Sequence, residues 1–302
     1  MDLNDIDLFL AVTEHLSLRR AAEATRLSQP TLSRRIQALE ETYGTALFVR
    51  HGRGMHLTPA VRARLMPLAR HLDAVREEVT AAANTTGGEV SLGFPPSIRI
   101  LLTHRLIDRF CRAHPNVTVR LTEETSGEVR DLVALGQLDL AITNEFEPVA
   151  GLAPQPLARE PLLVVGPREA GLEMTRPISL QELADLPLIL TRAPNSLRRL
   201  IDSGLGRLGL KPWVRLEANA LPLMTDLVEL GLGYTVLPSC GVLPALKEGR
   251  LSATKLQDFT IRWVVVRARE RLLSNAARAL LDTIVQDVRE AIADGTWVHG
   301  FS

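Results

Sequence analysis

The stretch from Ser17 to Leu39, Ser-Leu-Arg-Arg-Ala-Ala-Glu-Ala-Thr-Arg-Leu-Ser-Gln-Pro-Thr-Leu-Ser-Arg-Arg-Ile-Gln-Ala-Leu, constrains this chain more than any other. It holds two short amphipathic helical patterns with room for only a tight turn between them. In the first, Leu18, Ala21, Ala22 and Leu27 share one side; in the second, Leu32, Ile36 and Leu39 recur at helical spacing. Ser28 stands where an N-cap belongs, and Pro30 falls in the first turn, where a missing N–H costs nothing. Ala21 and Ala22 are small where two helices would cross closely. Opposite the apolar stripe, the second helix carries Gln29, Thr31, Ser33, Arg34 and Gln37. These short or forked hydrogen-bonding groups suit base edges in a major groove, and they cluster at the helix N-terminus. The pattern is that of a helix-turn-helix whose second helix is the recognition helix. A plain helical hairpin with a solvated polar face is the alternative.

The flanks extend this reading. Residues 2–15 form a first helix with Leu3, Ile6, Phe9, Leu10 and Thr13 on one side, and Gly44 ends the recognition helix. Residues 47–57 combine a glycine-rich turn with Arg50, His51, Arg53 and His56. That fits a β-hairpin wing in which Arg50, His51 and Arg53 touch phosphates or the minor groove. Thr58 caps a further helix with Pro59 at its first position. Its seam, Leu65, Leu68, Leu72, Val75, Val79 and Ala82, steps alternately by three and four, the coiled-coil repeat, although Pro67 should kink it. A helix of this kind has no core of its own, so pairing with a second copy is the simplest way to bury the stripe. Asn84-Thr85-Thr86-Gly87-Gly88 reads as a hinge.

From residue 89 strands and helices alternate. Strands are expected at 90–94, 117–122, 138–143, 162–165, 188–191, 214–217, 234–237 and 263–267, with helices between them and a last helix at 274–293. The expected class is α/β with mainly parallel sheets. Ligands of such sheets sit beyond strand C-termini. The candidates for an effector site are therefore Pro96, Ser97 and Ile98 after the first strand, Thr125 and Ser126 after the second, and Thr143 and Asn144 after the third. Arg192 with Asn195 and Ser196, and Asn219, follow later strands. Arg192 is the best candidate to meet an anion, although it reads equally well as a surface arginine, and Ser97 could serve only as an N-cap.

Phe9-Leu10-Ala11-Val12, Ser17-Leu18, Ala21-Ala22, Leu27-Ser28-Gln29-Pro30, Leu32-Ser33-Arg34, Ile36, Leu39-Glu40, Leu47-Phe48-Val49-Arg50 and Leu57-Thr58-Pro59-Ala60 together resemble the N-terminal signature of LysR-type transcriptional regulators. The likeness runs through the chain but is less specific after about residue 90. It implies a winged helix-turn-helix over 1–58, a long dimerising linker helix and hinge over 59–86, and an effector-binding domain over 87–302. That last domain would resemble periplasmic binding proteins, with two Rossmann-like subdomains, about 89–160 with 268–302 and about 161–267. The chain would cross between them near Glu160-Pro161 and Arg267-Ala268. The resemblance further implies a sequence-specific DNA-binding regulator gated by a small molecule in the cleft. Bases would be read by Gln29, Thr31, Ser33 and Arg34 beside Pro30, and phosphates gripped by Arg35, Arg50, Arg53 and Arg19. Expected partners are an inverted-repeat DNA duplex, a second copy through the linker helix, a dimer of such dimers, and RNA polymerase.

Composition sets outer bounds. The 302 residues carry 35 basic and 35 acidic side chains, so net charge does not point to nucleic acid; a small module bound as a dimer needs few phosphate contacts. The N-terminus is acidic where a secretory signal is basic, and no apolar run approaches bilayer length, so a cytoplasmic protein without a membrane contact is expected. Cys111 and Cys240 lie in unlike elements and read as buried inert thiols. Gly204-Leu205-Gly206-Arg207-Leu208-Gly209 fits G-x-G-x-x-G but follows a helix, not a strand. No metal site, cofactor or catalytic constellation is expected, which weighs against an enzyme. A ligand-binding protein whose N-terminal helices only oligomerise is the other rival.

Overall fold

The computed structural model describes residues 3–51, 54–58, 61, 87–144 and 149–297, and the chain divides into two compact units. In the N-terminal unit, α1 (Leu3–His15), α2 (Leu18–Ala24) and α3 (Gln29–Tyr43) precede a hairpin of β1 (Phe48–His51) and β2 (Gly54–Leu57). The Ser17 side chain accepts from the Arg20 amide to start α2, and Ser28 accepts from the Thr31 amide to start α3. Gly44, in the left-handed region at φ 61°, ends α3. The apolar residues expected to face inward here, Leu18, Ala21, Ala22, Leu32, Ile36 and Leu39, lie in one buried cluster with Phe9, Val12, Leu47 and Phe48. The Glu40 carboxylate ties the end of α3 to the hairpin by accepting from the Leu47 and Phe48 amides, at 2.8 and 3.2 Å. Val61 is buried with this cluster. The rest of the 59–86 linker, with its seam and Pro67, lies outside the described residues, as does Arg53.

The C-terminal unit is built on a six-stranded sheet in the order β4-β3-β5-β10-β6-β9. These strands are β3 (Gly88–Phe94), β4 (Val117–Glu123), β5 (Leu140–Asn144), β6 (Leu152–Pro167), β9 (Thr235–Pro238) and β10 (Leu251–Ala268). A parallel pair, β7 (Leu188–Leu190) and β8 (Val214–Glu217), extends the second half; the Ile189 amide donates to Tyr234 O just before β9. The helices between strands are a continuous run over 96–113 (α4), α5 (Ser126–Ala134), α6 (Leu180–Ala184), α7 (Ser196–Arg207), α8 (Leu221–Glu229) and α9 (Leu243–Lys247), with α10 (Asn275–Ala293) last.

Two features depart from the expected pattern. The main sheet is mixed: β3 runs parallel to β4 and β5, but β10 is antiparallel to both β5 and β6, and β6 to β9. The reason is topological. β6 leaves the first subdomain and β10 comes back to it, so the two long strands must oppose each other. The second crossing also falls earlier than Arg267-Ala268. Trp263 to Val266 already pair with β5 of the first subdomain, and the ladder to β6 breaks between Lys255 and Thr260, where Ile178 takes up the free backbone groups. Residues 263–267 thus belong with the first subdomain, not the second.

The glycine-rich stretch from Gly204 to Gly209 is the end of α7 and the turn that follows it, not a phosphate loop. A Cβ on buried Gly204 would lie 2.7 Å from Phe259 Cζ, so the glycine is there for packing.

Candidate functional site

On α3 the apolar stripe is turned inward and the opposite face is open. Gln29, Pro30, Thr31, Arg34, Arg35 and Gln37 are exposed and Ser33 is half-buried. The Thr31 hydroxyl lies 2.7 Å from Ser28 Oγ, so the cap also orients a face residue. Arg34 has no ion pair or hydrogen bond among the described residues. Arg35 keeps a long pair with Asp5, at 3.9 Å, and Arg19 an exposed pair with Glu23, at 3.4 Å. Surface pairs of this kind contribute little and yield readily to a phosphate. Arg50 sits opposite Met55 in the hairpin. The first turn of α3, stiffened by Pro30 and held by Ser28, therefore offers polar groups on a rigid element at the helix end that enters a groove.

In the C-terminal unit, four of the strand-end candidates come together. Thr143 Oγ1 donates to Ser126 O at 3.1 Å, and Ser196 Oγ lies 3.3 Å from Asn144 Oδ1, joining the end of β5 to the start of α7. All four residues are buried. The Ser126 hydroxyl at the start of α5 has no partner of its own among the described residues. Ser97 stands on the turn Pro96–Ile98, which packs so closely on the turn Ser239–Gly241 that a Cβ at Gly241 would lie 3.2 Å from Ser97 Cβ. Ile98 is buried in the core rather than at a polar surface. Arg192 does not join this group: its side chain is 71% exposed, 3.8 Å from Glu217, and only its backbone amide meets Asn219, at 3.0 Å.

A second polar cluster was not anticipated. Glu160, in β6 at the first crossing, is fully buried. Its Oε2 accepts from Ser239 Oγ and from the Cys240 amide at 3.1 Å, and its Oε1 accepts from Trp263 Nε1 of β10. Burial pushes the Glu160 carboxyl above the usual range, against the pull of its three donors, and burial beside Glu160 pushes the Cys240 thiol well up. Cys240 is thus buried, as expected, while Cys111 is exposed, because its neighbour Phe110 takes the inward face of the helix. The available signal for this cluster was an acidic residue just before the apolar run Leu162 to Val165.

Two family models match the chain. One, described as bacterial regulatory helix-turn-helix protein, lysR family, covers residues 3–62; the other, described as LysR substrate binding domain, covers residues 83–289. The chain belongs to the LysR family. It is a transcriptional regulator with a helix-turn-helix DNA-binding domain and an effector-binding domain. Among curated relatives, it is 29% identical to the HTH-type transcriptional regulator BbuR of Bordetella bronchiseptica, over 98% of this chain and 93% of that one. Among solved structures, a point variant of full-length OxyR from Pseudomonas aeruginosa shares the fold with a TM-score of 0.75 at 23% identity, covering 96% of this chain and 95% of that one. Full-length CbnR complexed with its target DNA aligns with a TM-score of 0.54 at 22% identity, over 95% of this chain and 100% of that one.

Proposed function

We propose that this LysR-family regulator reads its operator through Gln29, Thr31, Ser33 and Arg34, with Pro30 fixing the first turn of α3 and Arg35, Arg50 and Arg53 holding phosphates. The observation that carries this reading is the division of α3 into a buried Leu32-Ile36-Leu39 stripe and an exposed polar face. Two copies joined along the 59–86 segment bind an inverted repeat, and two such pairs form the working assembly that meets RNA polymerase. The small-molecule effector sits between the subdomains, against Pro96, Ser97, Ser126, Thr143, Asn144 and Ser196, with Ile98 behind them and Arg192 and Asn219 at the margin. The convergence of Ser126, Thr143 and Asn144 on Ser196 of α7 supports this placement, since it gathers polar groups from both subdomains at strand and helix ends. An effector that prefers one subdomain closure shifts the DNA-bound state through its differential affinity. The protein works in the cytoplasm.

The test has two parts, both on the full chain. Selection from a randomised duplex pool should return a two-fold symmetric site whose binding weakens steeply with salt; enrichment of no common sequence would overturn the DNA reading. A thermal-shift screen of small acids and aromatic metabolites should yield a ligand whose shift is lost in Asn144→Ala and kept in an exposed control such as Arg112→Ala. A ligand unaffected by Asn144→Ala would place the effector elsewhere.

A further inference from the structure

The turn between α2 and α3 holds a residue that its backbone does not favour. The Arg26 amide donates to Glu23 O at 3.3 Å and the Leu27 amide to Ala22 O at 3.0 Å, the paired bonds that close a helix through a left-handed residue. Leu27 packs on the buried cluster and Ser28 caps α3, so the turn is pinned on both sides. The left-handed residue is Arg26, at φ 54°. Glycine is the usual choice there, because it has no Cβ to crowd the backbone. The chain makes that choice after α3, at Gly44 with φ 61°, and after α10, at Gly295 with φ 73°. An arginine in this conformation is strained, and strain of this kind collects where a side chain is needed for function.

The fold gives Arg26 no return for that strain. Its side chain is exposed and makes no hydrogen bond or ion pair among the described residues. Glu23, the nearest acid in sequence, is engaged by Arg19 at 3.4 Å. A cation beyond a helix end also meets the negative end of the helix dipole. An unstrained basic residue in the last turn of α2 would serve that purpose, and the turn carries none. Position supplies the missing reason. Arg26 stands just ahead of the Ser28 cap, and so just outside the first turn of α3. A recognition helix enters the major groove by that turn, so the chain leading into it passes the groove edge, where the phosphates lie.

We infer that Arg26 is a further DNA contact, a clamp on one backbone phosphate of the operator beside the first turn of α3. The inference rests on the reading of α3 as the recognition helix. Arg26 reads no base. It adds affinity that does not depend on sequence, and its rigid turn fixes where the first turn of α3 enters the groove.

The experiment follows the full chain by fluorescence anisotropy over a series of salt concentrations, on two labelled duplexes. One is the two-fold symmetric site returned by selection; the other is a scrambled duplex of the same length and composition. Arg26→Gly and Arg26→Ala should weaken binding to both by the same factor, roughly fivefold per bound copy at about 0.15 M salt, and should reduce the slope of log affinity against log salt by about 0.9 per bound copy. Arg26→Lys, which keeps the charge, should hold the wild-type slope. Arg26→Gly should melt no lower than the wild-type chain, since glycine adopts the left-handed turn without strain. Arg34→Ala, by contrast, should reduce the preference for the selected duplex. The inference is overturned if Arg26→Gly and Arg26→Ala keep the wild-type salt slope, or if their loss is confined to the selected duplex. A selected duplex bound alike by the wild type and both variants removes this inference alone; if the wild-type chain selects no duplex, the reading of α3 falls and takes the inference with it. Should Arg26→Ala fail to fold, Arg26→Gly decides the matter.

Discussion

Removing the Glu160 side chain measures what holds the two crossing strands together. In the native chain one buried carboxylate serves three donors from two other elements, Ser239 and Cys240 after β9 and Trp263 in β10. Glu160→Ala leaves the Cys240 amide and the Trp263 indole N–H unpaired, each costing about 1–3 kcal/mol, while the Ser239 hydroxyl can turn elsewhere. The vacated space adds a packing loss of about 2 kcal/mol. Against this, the variant no longer has to desolvate a polar carboxyl group, which offsets part of these losses. The net expectation is a destabilisation of about 3 kcal/mol. Glu160→Gln should be milder, about 1 kcal/mol, because burial already favours an uncharged side chain at this position and the amide keeps one acceptor. In a unit of this size 1 kcal/mol moves Tm by about 2–4 °C, so scanning calorimetry of the full chain should show losses of about 6–12 °C and 2–4 °C. The pH dependence follows from the raised carboxyl. The folded state holds its proton more tightly than the unfolded chain does. The contribution of Glu160 is therefore fully present below the unfolded carboxyl value and is lost as pH rises through the raised folded value. Glu160→Gln should flatten that slope. Equal melting of the alanine and glutamine variants, or an unchanged slope in Glu160→Gln, would refute the reasoning.

The acid limb should come from a different place and run the other way. Arg109 and Arg105 hold Glu290 down at about 2, and Thr296 and Arg105 do the same for Asp294. Their contribution is present above the unfolded carboxyl range and is lost as pH falls toward about 2, so Glu290→Gln should reduce the loss of thermal stability between about pH 5 and pH 2. Gly204→Val should destabilise by about 2 kcal/mol through overpacking on Phe259, and Phe259→Ala in the same chain should recover part of it, as read by urea denaturation.

Much of the N-terminal unit could be read directly from the chain, because its signals are local. Helical spacing put Leu32, Ile36 and Leu39 inside, and Ser28 and Gly44 marked the ends of α3. The strand-end rule likewise names Ser126, Thr143, Asn144 and Ser196, which the fold brings into contact with one another. The long strands were harder. Only 162–165 of β6 and 263–267 of β10 stood out, since Pro154, Pro156 and Pro161 interrupt the apolar pattern. Pro154 and Pro156 are tolerated because, among the described residues, that half of β6 pairs with β10 alone, while β9 joins at Leu162 to Val165. The Glu160 cluster and the exposure of Arg192 depend on residues brought together from distant parts of the chain. No local pattern encodes them.

The most direct test of the central claim is the affinity of the full chain for its selected duplex, by fluorescence anisotropy at fixed salt, in Gln29→Ala and Arg34→Ala. Each change removes an exposed side chain of α3 and leaves the Leu32-Ile36-Leu39 stripe untouched. Each lost base contact should cost about 1–3 kcal/mol, a weakening of roughly 5- to 160-fold per contact, with discrimination against mismatched duplexes relaxed at one position of the site. Wild-type affinity and unaltered sequence preference in both variants would contradict the account.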